Sequence, residues 1–222
     1  MPLDYELHIP PGAREGAPLI VLLHGRGSDR FDLIGLNRGL PAGAVIVTPE
    51  APFPGPSWGY GSGWAWYQYL GEDRPEPETF DRSQEMLREF LKDLPRNLPI
   101  RTGPMVLGGF SQGGTMSLSH ALRYPGTVPS VMNLSGFLAA HESVVVTPET
   151  VAGTRIFWGH GSEDSAVPFG LALRGRATLE AAGADLTARD YRIGHSIVGV
   201  ELADATAWIQ AGSPETRDDD QK

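Results

Sequence analysis

The sequence predicts an α/β fold: a mostly parallel central sheet flanked by helices. Three observations carry that prediction. Short apolar runs rich in β-branched residues alternate with helical patterns along the chain. The chain has 222 residues and is 41% hydrophobic, enough to build a real core. Near its middle an apolar run, Met105-Val106-Leu107-Gly108, leads through Gly109-Phe110-Ser111-Gln112-Gly113 directly into a helical pattern.

The elements follow in order. Strands are predicted at residues 19–23, 44–48, 105–110, 130–134, 155–159 and 187–191, most of them short apolar runs. A helix over 80–94 places Met86, Leu87, Phe90, Leu91 and Leu94 on one face, with Thr79 as its N-cap. The helix over 113–124 is stopped by Pro125. Helices over 168–182 and 196–211 end at Gly183 and Gly212. Strand–helix alternation at this spacing means βαβ units. No internal repeat and no second domain is visible, so residues 1–212 read as one domain. Residues 49–77 form a long irregular stretch rich in proline and aromatic residues, and such loops are usually functional. Residues 213–222 are polar, include three consecutive aspartates, and are expected to be disordered.

Composition narrows the function. A net charge of −9 argues against nucleic acid or an anionic membrane as partner. The absence of cysteine removes disulfides, thiolate metal sites and a cysteine nucleophile together. The N-terminal residues lack the positive and apolar regions of a signal peptide. No apolar stretch approaches the roughly 20 residues of a membrane span. A cytoplasmic location is the default expectation.

The G-x-S-x-G pentapeptide between strand and helix is the nucleophile elbow of α/β-hydrolases. Its serine needs a strained backbone and therefore small neighbours, which Gly109 and Gly113 supply. A serine hydroxyl needs a base to take its proton, and the base needs an anion to fix its tautomer. In this fold the order is serine, acid, histidine. Asp164, just after the strand at 155–159, is the acid, with Glu163 in the same loop as the fallback. His195, between the last strand and the last helix, is the base. His160 comes too early in the order, and His120 lies mid-helix.

A tetrahedral intermediate also needs N–H donors for its oxyanion. One is the main-chain amide of Gln112, at a helix N-terminus. The second comes from the loop Leu23-His24-Gly25-Arg26-Gly27-Ser28-Asp29, with Arg26 preferred and Gly25 as the alternative. His24 is expected to brace that loop by hydrogen bonds.

With its neighbours, this set of segments resembles the phospholipase/carboxylesterase family of α/β-hydrolases, which includes bacterial carboxylesterases and acyl-protein thioesterases. The segments are Leu23 to Asp29, Gly108-Gly109-Phe110-Ser111-Gln112-Gly113-Gly114, Leu134-Ser135-Gly136-Phe137-Leu138, His160 to Pro168, and Gly194-His195-Ser196-Ile197. The resemblance implies an α/β-hydrolase fold without a large cap domain and a triad of Ser111, Asp164 and His195. It implies an oxyanion hole from the amides of Arg26 and Gln112, no metal and no cofactor. Trp66 and Tyr67 resemble the family's aromatic pair beside the acyl pocket. Arg26 departs from the leucine common there; its side chain either points outward or overhangs the site and favours a polar or anionic group.

The expected activity is hydrolysis of short-chain acyl esters through an acyl-enzyme. Thioesterase or lysophospholipase activity on longer chains is the alternative. A binding protein that has lost catalysis is disfavoured, because all three triad positions are filled. Phe137 and Leu138, just past a strand end, are expected to close the far side of the acyl pocket, which should fill at about four to six carbons. The expected partner is a small-molecule ester, and the family resemblance leaves room for a homodimer.

Overall fold

The computed structural model describes residues 3–212. The acidic segment 213–222 lies outside the described residues. In chain order the elements are β1 (Tyr5–His8), β2 (Ala17–Leu23), β3 (Val45–Pro49), β4 (Phe53–Pro54), β5 (Trp64–Ala65), α1 (Pro77–Asn97) and β6 (Thr102–Phe110). They continue as α2 (Gln112–Arg123), β7 (Ser130–Leu134), α3 (Pro148–Val151), β8 (Arg155–Gly161), α4 (Phe169–Ala181), β9 (Asp185–Tyr191) and α5 (Gly199–Ala211). A 3₁₀ helix, Leu33–Arg38, joins β2 to β3.

Seven strands form one sheet in the order β1-β3-β2-β6-β7-β8-β9, and only β1 runs antiparallel to its neighbour. This is the α/β-hydrolase architecture that the sequence predicts. The six predicted strands are β2, β3 and β6 to β9. Strand β1 lies at the sheet edge and pairs Tyr5 with Pro49 and His8 with Ile46. It escaped prediction because four residues carry too little pattern. Inside the irregular stretch, β4 and β5 form a two-stranded sheet of their own.

Two cores explain why the central strands read as unbroken apolar runs. Along β2, Leu19, Val21 and Leu23 enter one core, with Leu87 of α1, Met116 of α2 and Leu171 of α4. Ile20 and Leu22 enter the other, with Leu33, Trp208 and Ile209. Successive side chains of a strand point to opposite faces, so a strand covered on both sides must be apolar throughout.

Helix α1 starts earlier than predicted. Its N-cap is Glu76, not Thr79: the Glu76 carboxylate accepts from the Glu78 and Thr79 amides at 3.1 and 2.8 Å. Thr79 instead donates its hydroxyl to Glu76 Oε2 at 2.7 Å. A glutamate can stand in for the usual short cap because Pro77 at the first helical position fixes the entry.

Glu201 is buried on the first turn of α5, where burial opposes its charged form and the Val198 amide at the helix N-cap favours it. Burial, with Asp204 adding to it, pushes its pKa up to about 7. A carboxyl whose folded pKa exceeds its unfolded value stabilises the fold below the unfolded range and loses that contribution as pH rises through the folded value. The wild type should therefore lose stability relative to Glu201→Gln between about pH 4.5 and pH 8, by on the order of 3 kcal/mol. Denaturant midpoints of both proteins across that range test this; parallel profiles would refute it.

Candidate active site

Ser111 sits where β6 meets α2, with φ +56° and ψ −117°. That backbone conformation is strained for a residue with a side chain and survives only because its surroundings enforce it. Gly109 and Gly113 permit it. A Cβ on Gly109 would lie 2.5 Å from the Gly113 carbonyl carbon and 2.6 Å from the Leu23 oxygen. A Cβ on Gly113 would overlap the Leu23 carbonyl outright. The close approach of β2 to this turn therefore requires both glycines.

Three predicted residues meet at the C-terminal edge of the sheet. The Ser111 hydroxyl lies 2.9 Å from His195 Nε2, and His195 Nδ1 lies 2.7 Å from Asp164 Oδ2. Asp164 is fully enclosed, and its other oxygen, Oδ1, accepts the amides of Ala166 and Val167, each at 2.9 Å. These bonds fix the carboxylate plane, so Oδ2 is left to face the imidazole. A carboxylate there selects the tautomer with its proton on Nδ1, leaving Nε2 as an acceptor toward Ser111. The His195 ring also packs on Phe110, with centroids 4.7 Å apart.

The two weaker candidates are placed elsewhere. Glu163 points away and pairs with Arg192 at 3.0 Å on the surface. His160 is buried, donates from Nε2 to the Val167 carbonyl at 2.9 Å, and lies 3.5 Å from Asp164 Oδ2. Burial lowers its pKa, so it stands neutral beside the carboxylate.

The main-chain N–H groups of Arg26 and Gln112 have no acceptor among the described residues. Both residues line the same cavity as Ser111 and His195. His24 braces the Arg26 loop: its Nε2 accepts the Ala51 amide at 3.0 Å, so Nδ1 carries the proton given to the Gly25 carbonyl at 2.7 Å.

The cavity holds about 170 Å³ and is walled by Tyr67, Tyr69, Phe110, Phe137 and Val167. Of the four residues expected at the acyl pocket, Tyr67 and Phe137 line this cavity. Trp66 and Leu138 do not line it. Trp66 is wholly buried behind the wall, its indole N–H donating to the His24 carbonyl at 3.0 Å. Leu138 packs into the core against the α4 backbone at Gly175. Neighbouring residues on irregular backbone face different ways, and the sequence does not say which faces the cavity. Ser135, at φ +55°, turns the chain after β7, and Thr115 Oγ1 accepts the Phe137 amide at 3.0 Å.

Sequence reasoning missed the side chain of Gln112. Its Oε1 accepts the Trp66 amide at 3.0 Å, and its Nε2 donates to the Tyr67 carbonyl at 2.8 Å. The Ser83 hydroxyl donates to the Trp66 carbonyl. One residue thus lines the cavity beside Ser111 and clamps the aromatic wall in place. Tyr69 was also missed as a cavity residue, although it belongs to the aromatic cluster. A wider groove of about 520 Å³ runs along α1 beside Leu3 and Tyr5, away from Ser111.

Comparison with known proteins agrees with this architecture. Residues 6–213 match the profile of the family described as Phospholipase/Carboxylesterase. Acyl-protein thioesterase 1 of Emericella nidulans is 26% identical over 226 residues, covering 93% of this chain and 95% of that protein. The solved structure of esterase PE8 is 28% identical and has a TM-score of 0.78, covering 95% of this chain and 99% of its own. Acyl-protein thioesterase 2 of Zea mays shares the fold, with a TM-score of 0.75 at 23% identity over 94% of this chain and 98% of its own. With a match spanning nearly the whole chain, this protein belongs to the phospholipase/carboxylesterase family and is a hydrolase of the carboxylesterase and acyl-protein thioesterase type.

Proposed function

We propose that the protein hydrolyses short-chain acyl esters, with Ser111 as nucleophile, His195 as general base and acid, and Asp164 orienting the imidazole. His195 Nε2 takes the Ser111 proton as the oxygen attacks the acyl carbon. The amides of Arg26 and Gln112 receive the oxyanion. His195 then protonates the departing alcohol, and an acyl-enzyme remains. Water attacks that ester next, losing its proton to the same nitrogen; the bond between Ser111 Oγ and the acyl carbon then breaks, the carboxylic acid leaves, and His195 returns the proton to Ser111. These steps use only side chains, main-chain amides and water.

The observation that carries the reading is the continuous chain from Ser111 Oγ through His195 to a buried, twice-capped Asp164. The short-chain preference rests on the cavity. About 170 Å³ walled by four aromatic rings and Val167 has little room for a long acyl chain. Each buried CH₂ is worth about 0.8 kcal/mol, so specificity rises with chain length only until the space is full. We expect kcat/KM to rise to about four to six carbons and then fall steeply. Initial rates on 4-nitrophenyl butyrate, octanoate and palmitate below their aggregation limits test this. A clear preference for palmitate would refute it in favour of the thioesterase or lysophospholipase reading; the Emericella nidulans relative is named an acyl-protein thioesterase.

A further inference from the structure

We infer that Arg26 makes this site selective for esters that carry an anionic group, such as a carboxylate, close to the scissile bond. The inference rests on the ester-hydrolase reading above. The Arg26 side chain is exposed and lines the cavity that holds Ser111 and His195. Its guanidinium carbon lies 4.7 Å from the Tyr60 ring centre and 5.7 Å from that of Tyr69. The two rings are tied together: Tyr60 Oη accepts the Tyr69 amide at 2.9 Å, and Tyr69 Oη donates to the Glu72 carbonyl at 2.6 Å. Ring faces hold a guanidinium in place without consuming its N–H donors.

Those donors are unused. Among the described residues Arg26 makes no side-chain hydrogen bond and no ion pair. Arg30, Arg123 and Arg176, by contrast, are each held by a carboxylate. Glu72 and Asp73 are the nearby acids. Burial raises the Tyr69 pKa and the charge of Arg26 opposes that rise, with Asp73 and Glu72 adding to it. Neither acid bonds Arg26. A positioned guanidinium with free, forked donors matches a carboxylate in two parallel hydrogen bonds. The chain as a whole carries a net charge of −9, so this cation is a local exception where substrate enters. In a cavity of about 170 Å³, no part of a short substrate lies far from a lining residue. The anion therefore comes within reach from either the acyl or the alcohol side.

The test compares ratios of kcat/KM in wild type, Arg26→Leu and Arg26→Lys. For the acyl side the pair is 4-nitrophenyl hydrogen adipate over 4-nitrophenyl hexanoate. For the alcohol side it is 4-(butyryloxy)benzoate over phenyl butyrate. Each ratio compares two substrates of one variant, so any effect of the substitution on the shared oxyanion amide cancels. One ratio should fall about tenfold or more in Arg26→Leu, fall by less in Arg26→Lys, which keeps the charge but loses the fork and the stacking, and shrink in wild type as salt is raised. The arm that responds identifies the side. Unchanged, salt-independent ratios in both arms would overturn the inference, and the salt dependence of the wild type decides it even if a variant fails to fold. Absence of any hydrolysis of the neutral esters by wild type would instead overturn the ester-hydrolase reading. Calorimetric binding of adipamic acid against hexanamide reads the same selectivity without turnover, and equal binding of the two would count against Arg26.

Discussion

Replacing Ser111 by alanine is expected to lower kcat/KM on a short-chain ester by about 10⁴-fold or more while leaving the fold intact. The hydroxyl faces the cavity and bonds His195 Nε2 at 2.9 Å, so its loss removes little packing. The strained backbone is enforced by Gly109, Gly113 and the adjoining strand, not by the hydroxyl. Thermal midpoints of the two proteins should therefore be close while their rates are far apart. A purified variant retaining more than roughly a tenth of wild-type activity would rule out Ser111 as nucleophile. A fluorophosphonate should add to the wild type on the peptide containing Ser111, and mass spectrometry placing the adduct elsewhere would point to a different group.

Asp164→Asn should cost nearly as much, on the order of 10⁴-fold, with the geometry preserved. The amide oxygen can keep the bonds from Ala166 and Val167, which Oδ1 accepts now. The amide nitrogen then replaces Oδ2 opposite His195 Nδ1, 2.7 Å away. An N–H there demands an acceptor, so the imidazole proton moves to Nε2 and faces the Ser111 hydroxyl. A protonated Nε2 cannot take the serine proton. Glu163→Gln is the matched control: it changes a surface pair with Arg192 and should leave kcat/KM within about twofold. If Glu163→Gln were the damaging change and Asp164→Asn the mild one, the acid would be misassigned.

The contrast between these neighbours shows how far the sequence reaches. It placed an acid in one short loop after β8 and left Glu163 as a fallback. In the fold, Asp164 turns under the Ala166 and Val167 amides and faces His195, while the side chain of Glu163 meets Arg192 in solvent. Loop length and order are chain properties; the direction of a side chain on a loop is not. Helix α1 teaches the same point at smaller scale. Its apolar face was legible from the spacing of Leu87, Leu91 and Leu94, yet its start was misplaced by three residues. An apolar stripe records burial against a core, whereas a cap is settled by which nearby carboxylate or hydroxyl reaches the free amides.

By itself the sequence determined the parallel sheet, the elbow at Ser111 and the order serine, acid, histidine. Each is written in local pattern: strands buried on both faces must be continuously apolar, a strained serine needs small neighbours, and strand–helix alternation fixes which loops share an edge. Only the tertiary structure decided which aromatic residues face the cavity beside Ser111. Trp66 and Tyr67 are adjacent in the chain, yet one is wholly enclosed behind His24 and the other walls the cavity. Their orientation is set by Gln112, 45 and 46 residues away, which bonds the backbone at both positions. The same holds for Arg26, whose guanidinium is aimed by Tyr60 and Tyr69 and not by any feature of its own loop. Hydrogen bonds and ring contacts between distant segments have no period and no spacing, so they become visible only when the chain is folded.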